Sequence, residues 1–308
     1  MSADAVVFDR VSRRYGDVQA VRDLSLSVAA GEMFGLIGPD GAGKTTTIRM
    51  ICGLLRADSG SIRVLGLDPI RQHREVTTSV GYLSQRFSLY TDLSVNENIG
   101  FFAEIHGMRH YEPARDRLLE MTQLKAFGNR LAGQLSGGMK QKLALACTLI
   151  HQPRLIVLDE PTTGVDPISR REFWKLLSEF LSQGLTIVMS TPYLDEAERC
   201  SRIAFLHNGQ LLALDHPDAL RQTLPGKLFE VIAPDHRRAA AVLRSLPAVA
   251  SVQTFGERAH VRLEKPPADA VDLLARELRG AGIEVTAVRQ VPPSLEDVFV
   301  TRLGETQS

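Results

Sequence analysis

A doubly wound α/β core followed by a small α+β domain is the fold this sequence predicts, and three observations predict it. The apolar run Met33–Ile37 stops at Gly38, and a helix-spaced run with Ile48, Ile51, Cys52 and Leu55 on one side follows it. Leu155–Leu158 and Leu185–Met189 are uninterrupted apolar strands of the kind a parallel sheet buries on both faces. Beyond Leu224-Pro225-Gly226 the cadence changes to strand–helix–strand–strand–helix–strand.

The elements follow in order. Residues 4–30 alternate as strands, with Val6-Val7-Phe8 and Leu24–Val28 separated by a polar turn at Gly16-Asp17, and these give an antiparallel layer. The strand Met33–Ile37 leads to a helix over Thr45–Leu55, and short strands follow at Ser61–Val64 and Val80–Leu83. From Phe87 to Arg130 the pattern is helical, with breaks at Gly107, Pro113 and Gly128, so a helical subdomain is expected over residues 87–140. The run Leu143–Ile150 is helical and is opened by Ser136-Gly137-Gly138; Ser169–Leu181 is a further helix. The first domain is therefore placed at 1–224 and the second at 225–308. In the second, Leu228–Ile232, Arg237–Leu246, Val249–Phe255, Ala259–Leu263, Ala268–Gly280 and Ile283–Val288 stand in the ferredoxin-like order, and Leu295–Leu303 closes the chain as a helix. No catalytic constellation is visible there, and His236 and His260 are expected on its surface.

Composition narrows the function. A length of 308 residues suits two domains. Lys+Arg and Asp+Glu both number 36, a balance that argues against a nucleic-acid partner held by bulk positive charge. Cys52, Cys147 and Cys200 form no CxxC pair and no metal-ligand spacing, as expected of buried thiols in a reducing compartment. No secretory leader is visible, and no apolar run approaches the ~20 residues that span a bilayer. The expectation is a cytoplasmic protein whose membrane role comes through a partner.

Three segments carry chemistry. Gly38-Pro39-Asp40-Gly41-Ala42-Gly43-Lys44-Thr45-Thr46 matches the phosphate loop G-x-x-x-x-G-K-[ST] between a strand and a helix. Its glycines expose backbone N–H groups to phosphates, Lys44 supplies a point charge, and Thr45 offers a hydroxyl to Mg²⁺. A plain glycine-rich turn would not need Lys and Thr in that register. Asp159 and Glu160 end a buried strand, where a carboxylate faces the ligand crevice of a parallel sheet. Asp159 suits a metal role through water, and Glu160 suits polarising an attacking water. Finally, Ser136, Gly137 and Gly138 open a helix whose free N–H groups and dipole favour an anion, a second phosphate-binding surface.

Together these residues resemble the ATP-binding-cassette (ABC) ATPases, the nucleotide-binding subunits of membrane transporters, over residues 4–220. Leu135-Ser136-Gly137-Gly138 is the most specific element, similar to the family signature. The resemblance implies a P-loop ABC core, the ligands ATP and Mg²⁺, and a second cassette (a copy or a distinct partner) arranged head to tail. In that arrangement Ser136, Gly137 and Gly138 would touch the terminal phosphate of the partner's ATP. It implies that Tyr15 stacks on adenine, that Gln85 touches Mg²⁺ and relays nucleotide state, and that Asp166 lies on a loop crossing the dimer interface. It also implies an integral membrane permease docked on the helical subdomain, and a place at the inner face of the cell membrane.

One position departs from the family pattern. After Leu185–Met189 the family has a histidine that contacts the γ-phosphate; this chain reads Ser190-Thr191-Pro192-Tyr193, with His207 beyond the next strand. Proline has neither a side-chain donor nor a backbone N–H. The expectation is a site that binds MgATP and hydrolyses it slowly, or, alternatively, a nucleotide-gated regulatory cassette paired with an active one. The wording of the phosphate loop, of Lys140–Leu143, of Gly164–Arg171 and of Pro293–Phe299 is similar to drug- and antibiotic-export ATPases. It is especially similar to the first cassette of bacterial tandem-cassette exporters.

Overall fold

The computed structural model describes residues 4–85 and 89–307. The alternating segments at the amino end form β1 (Asp4–Tyr15) and β2 (Val18–Ala29), an antiparallel hairpin turned by Gly16 at φ 55°. The strand β4 (Ser59–Val64) pairs on the other side, giving a layer in the order β2-β1-β4.

The central sheet has six strands. Its order is β5 (Val80–Leu83), β6 (Leu155–Asp159), β7 (Thr186–Thr191), β3 (Met33–Ile37), β8 (Arg202–His207) and β9 (Gln210–Asp215). The first five run parallel and β9 is antiparallel to β8. Every residue of β3, β6 and β7 is buried, which is why these strands read as continuous apolar runs rather than alternations. The reversal of winding beside β3 leaves a crevice at the strands' carboxyl ends, where such folds bind ligands.

Helices cover the sheet. Helix α1 (Lys44–Ile51) is shorter than the expected Thr45–Leu55. Gly53, at φ 67°, donates to the Met50 carbonyl and Leu54 to that of Arg49, so a glycine-centred cap ends the helix before its apolar spacing does. After α2 (His73–Ser79) come α3 (Val95–Ile105) and α4 (Glu112–Met121), in the expected helical region; its expected start at Phe87 lies outside the described residues. Ser94 and Glu97 cap α3 reciprocally, and Gly107 at φ 71° stops it. Pro113, read as a break, sits instead in the first turn of α4, where its missing N–H costs no hydrogen bond. Helices α5 (Gly137–Leu149), α6 (Pro167–Ser182) and the short α7 (Leu194–Ala197) complete this part.

The carboxyl-terminal part runs α8 (Pro217–Gln222), β10 (Lys227–Ile232), α9 (His236–Arg244), β11 (Val249–Phe255), β12 (Arg258–Leu263), α10 (Ala270–Gly280), β13 (Ala287–Val291) and α11 (Leu295–Gln307). Its antiparallel sheet has the order β11-β12-β10-β13, the ferredoxin-like topology. Phe229, Val231, Val261 and Leu263 on one face pack with Leu243 of α9 and with Leu274 and Leu278 of α10. The strand expected at Ile283–Val288 begins only at Ala287. Gly282 turns left-handed at φ 71°, and Ile283 donates to the Leu278 carbonyl, so Ile283 is the apolar plug of a helix cap rather than a strand residue.

Two compact units result, Met1–Asp215 and His216–Ser308. The break therefore lies ahead of the expected 224/225, because α8 packs on α11 within the second unit. Among the described residues no helix is long and apolar enough to cross a membrane. The three cysteines are buried, which pushes each thiol up in pKa, Cys200 to about 12.

Candidate nucleotide site

The loop from Gly38 to Gly43 joins β3 to α1 at the carboxyl edge of the sheet. Gly41 and Gly43 have φ of 78° and 101°, conformations that side-chain-bearing residues rarely adopt. A Cβ at Gly38 would lie 2.2 Å from the Leu206 carbonyl oxygen of β8, and one at Gly43 would lie 2.4 Å from that of Ala20. The loop is therefore clamped from behind and turns its free face outward. Pro39 shapes the turn, with its carbonyl accepting from the Ala42 N–H; Asp40 is exposed, Ala42 is buried, and Thr46 is half-buried in the first turn of α1.

Lys44 is only 4 % exposed, so its charge must be satisfied locally. Its Nζ donates to the carbonyls of Gly38 at 2.8 Å and Pro39 at 3.1 Å, and stands 3.2 Å from Glu160 Oε1. Thr45 Oγ1 donates to Asp159 Oδ1 at 3.1 Å. Gln85 Nε2 donates to Glu160 Oε2 at 3.0 Å. The phosphate loop, Gln85, Asp159 and Glu160, distant in sequence, thus converge on one spot.

One residue to which the sequence reading gave no role, Ser190, holds both acids. Ser190, at the end of β7, donates its hydroxyl to Asp159 Oδ1 at 2.6 Å, and the Glu160 N–H reaches Ser190 Oγ at 3.1 Å and its carbonyl at 3.2 Å. Glu160 itself has φ 48°, a left-handed conformation that costs a non-glycine residue on the order of 1–3 kcal/mol. The neighbourhood carries a negative field: burial first and Asp159 second push the Tyr82 phenol up to about 12. A serine ending an apolar parallel strand was the available signal, since strand ends face the crevice.

The donor set fits the expected ligands. The Thr45 hydroxyl, the Asp159 carboxylate and the Gln85 amide oxygen are hard oxygen donors suited to Mg²⁺. A glycine loop with Lys44 at the start of a helix suits a polyphosphate.

Other expected residues lie apart from this cluster. Tyr15, 43 % exposed at the end of β1, has the Arg13 guanidinium 5.0 Å from its ring centroid. Ser136 caps α5 by accepting from the Met139 N–H, with Gly137 and Gly138 forming the first turn. A Cβ at Gly138 would strike Ser169 Oγ at 2.1 Å, so glycine here lets α5 approach α6. Asp166 caps α6, accepting from the N–H groups of Ile168 and Ser169 at 3.0 Å, with Pro167 at the first helical position. Among the described residues, no hydrogen bond or ion pair joins Tyr15, Ser136–Gly138 or Asp166 to the phosphate loop.

Pro192 follows Thr191, whose register partner on β3 is Ile37, so it stands level with Gly38 at the mouth of the loop. His207 ends β8, next to β3, yet no hydrogen bond or ion pair ties it to the loop or to Glu160 among the described residues.

Comparison with known proteins accords with this geometry. Residues 21–163 match the family model described as ABC transporter, and 216–302 match the C-terminal domain of DrrA1-3-like ATP-binding proteins. The chain is 42 % identical over 293 residues to the probable multidrug ABC transporter ATP-binding protein YbhF of Escherichia coli, covering 94 % of this chain and 50 % of that protein. It thus spans about half the length of that relative. It is 35 % identical over 310 residues to the daunorubicin resistance ATP-binding protein DrrA2 of Streptomyces coeruleorubidus, covering 99 % and 96 %. A solved structure of an ATP-binding subunit of an ABC transporter superposes with a TM-score of 0.64 at 30 % identity, covering 71 % of this chain and 92 % of that one. Phosphate loop, acid-tipped strand, fold and relatives agree: this chain belongs to the ATP-binding proteins of ABC transporters.

Proposed function

We propose that this chain binds MgATP on its phosphate loop, hydrolyses it at Glu160, and couples that cycle to export through a separate membrane permease. The observation that carries this reading is the convergence of Lys44 and Glu160 at 3.2 Å beside the Thr45–Asp159 bond at 3.1 Å. Lys44 would neutralise terminal-phosphate charge, and ATP arriving there would draw it from Glu160. Freed of that ion pair, the Glu160 carboxylate accepts a proton from water. Thr45, Asp159 and Gln85 would hold Mg²⁺, which supplies charge neutralisation on the phosphate oxygens when bound. Tyr15 would stack on adenine through its exposed face.

A second cassette completes the reading. A dimeric bacterial ABC transporter cassette is 26 % identical to this chain and superposes with a TM-score of 0.61. Ser136, Gly137 and Gly138 present a helix start to the phosphate of a partner's ATP, and Asp166 stands beside them through the α5–α6 contact. The export direction is supported by the drug-resistance and Nod-factor-export names of the relatives. A place at the inner membrane face follows from that partnership.

The site on this chain's own loop is slow. Pro192 has no donor to offer where it stands level with Gly38, and one missing charge-stabilising contact costs ~3 kcal/mol of barrier. A pure regulatory cassette is the second reading, favoured by the same proline. Single-turnover hydrolysis by the purified full chain tests both readings. Glu160→Gln is expected to cut the rate by about a hundredfold or more, and Pro192→His to raise it by up to about a hundredfold. Turnover indifferent to Glu160 would reject the hydrolytic role; no gain from the histidine would reject the impaired-site account.

A further inference from the structure

A buried carboxylate outside the nucleotide cluster remains, that of Glu196 on α7, 1 % exposed. Burying an acid costs several kcal/mol unless it is paired and hydrogen-bonded, and three partners meet this one. Thr162 Oγ1 donates to Oε1 at 2.5 Å, Arg170 Nη2 to the same oxygen at 2.8 Å, and Thr191 Oγ1 to Oε2 at 2.6 Å. Asp195, mostly exposed, shares Arg170 at 3.2 Å, and the Arg170 guanidinium lies 4.9 Å from the Tyr193 ring centroid.

The partners sit at the ends of three segments that matter to the site. Thr162 is two residues past Glu160, on the same tight turn, where Thr163 N–H donates to the Glu160 carbonyl. Thr191 adjoins Ser190, which holds both the Glu160 N–H and the Asp159 carboxylate. Its hydroxyl also accepts from the Tyr193 N–H at 3.1 Å, so it brackets Pro192 on both sides. Arg170 belongs to the first turn of α6, the helix that Asp166 caps. Glu160 is held in a left-handed conformation, and such strain persists only where the surroundings over-determine it. Ser190 grips the Glu160 backbone from one side; the Glu196 carboxylate fixes the turn beyond it and the strand end that carries Ser190.

We propose that Glu196 is a positioning residue for hydrolysis: its carboxylate clamps Thr162, Thr191 and Arg170, and so holds Glu160 and the Asp166 loop in register with the phosphate loop. This rests on the reading of Glu160 as the group that activates water. Glu196 acts through the turn it holds. The clamp also brackets the segment that carries Pro192.

The test separates kcat from ATP binding in the full chain. Glu196→Gln keeps the shape but replaces one acceptor by a donor. It is expected to lower kcat on the order of tenfold to a hundredfold, because small misplacement of a reacting group is costly, with ATP affinity within about twofold of wild type. Thr191→Val, which deletes the hydroxyl, should fall in the same way, and Thr191→Ser, which restores it, should return kcat to within about threefold of wild type. The threonine pair decides the matter if Glu196→Gln does not fold. Unchanged kcat in these variants, or equal losses of kcat and ATP affinity with a lowered melting temperature, would overturn the clamp. Failure of the underlying reading looks different: wild-type turnover would be insensitive to Glu160→Gln, and the clamp would fall with it.

Discussion

In the first unit Asp159 and Glu160 stand at the carboxyl end of β6, facing an outward-turned glycine loop. In the second unit Glu230 on β10 and Asp297 in the first turn of α11 flank His260 of β12. Asp159, Glu230 and Asp297 are buried and Glu160 is partly so, yet the surroundings differ. Among the described residues the first pair has one cation in contact, Lys44, which it shares with two backbone carbonyls. The second has two arginines, Arg289 at 2.7 Å and Arg258 at 3.4 Å from Glu230, and a histidine, His260, at 2.8 Å from Asp297. Ser294 adds its hydroxyl and backbone N–H to Asp297 Oδ2. Acids left short of positive charge beside an anion-binding loop make a receptor for a cation–phosphate pair. Acids paired by arginines, a histidine and a serine of their own chain make a joint.

The joint is built across strands. His260 on β12 pairs in register with Glu230 on β10 and with Gln253 on β11, and Glu230 pairs with Arg289 on β13, so one row of polar residues crosses the sheet. Asp297 reaches it from the first turn of α11, where it also forms a reciprocal cap with Ser294. Burial alone would raise the Glu230 and Asp297 carboxyls, but the bonds to Arg289 and to His260 hold them below the usual range. His260, expected on the surface, is in fact 17 % exposed in its side chain and bound on both sides. No period in the sequence could have paired positions 230, 260 and 297; only the strand register does.

Removing Asp297 is the larger way to break this comparison. Asp297→Ala strands His260 and uncaps α11, and breaking such a buried pair costs about 3–5 kcal/mol. A denaturant titration of the full chain should show that loss in the transition of the second unit, with ATP affinity unchanged. A fall in ATP affinity would mean that the two acid clusters do not have separate roles.

A smaller effect comes from pH. The hydrogen bond to Asp297, opposed by burial and helped by the charges of Asp297, Glu230 and Glu296, raises His260 above its usual 6.5. A raised histidine contributes stability that is complete below 6.5 and is lost as pH climbs through the higher folded value. The depressed Asp297 contributes above 3.8 and loses its share only as pH falls through its lowered folded value. The melting temperature should therefore decline from pH 6.5 upward in the wild type, and His260→Gln should flatten that slope. An equal slope in the variant would remove His260 from the joint.

Local structure was legible where it is set by neighbours in sequence. The strand–loop–helix around Gly38 to Thr46, the acid pair 159–160 and the helix start at Ser136 could all be read directly. So could the ferredoxin-like order, because strands and helices there alternate cleanly. Helix ends were misplaced at Leu55, and Ile283 was taken for strand, because apolar spacing continues through a glycine cap that backbone hydrogen bonds define. The Ser190 and Glu196 contacts were not legible, since each links residues 5–34 positions apart through folding alone. Pro192 was visible as a departure; that it stands level with Gly38 required the β3–β7 register.

The central claim is that the undersaturated acid pair marks the nucleotide site and the saturated pair does not. Equilibrium binding of MgATP to the full chain, in wild type, Lys44→Ala and Glu230→Gln, tests it most directly. The account predicts that Lys44→Ala weakens binding by at least about tenfold, since a charge-assisted contact to phosphate is lost, while Glu230→Gln leaves it unchanged. Equal affinity in wild type and Lys44→Ala, or a comparable loss in Glu230→Gln, would contradict it.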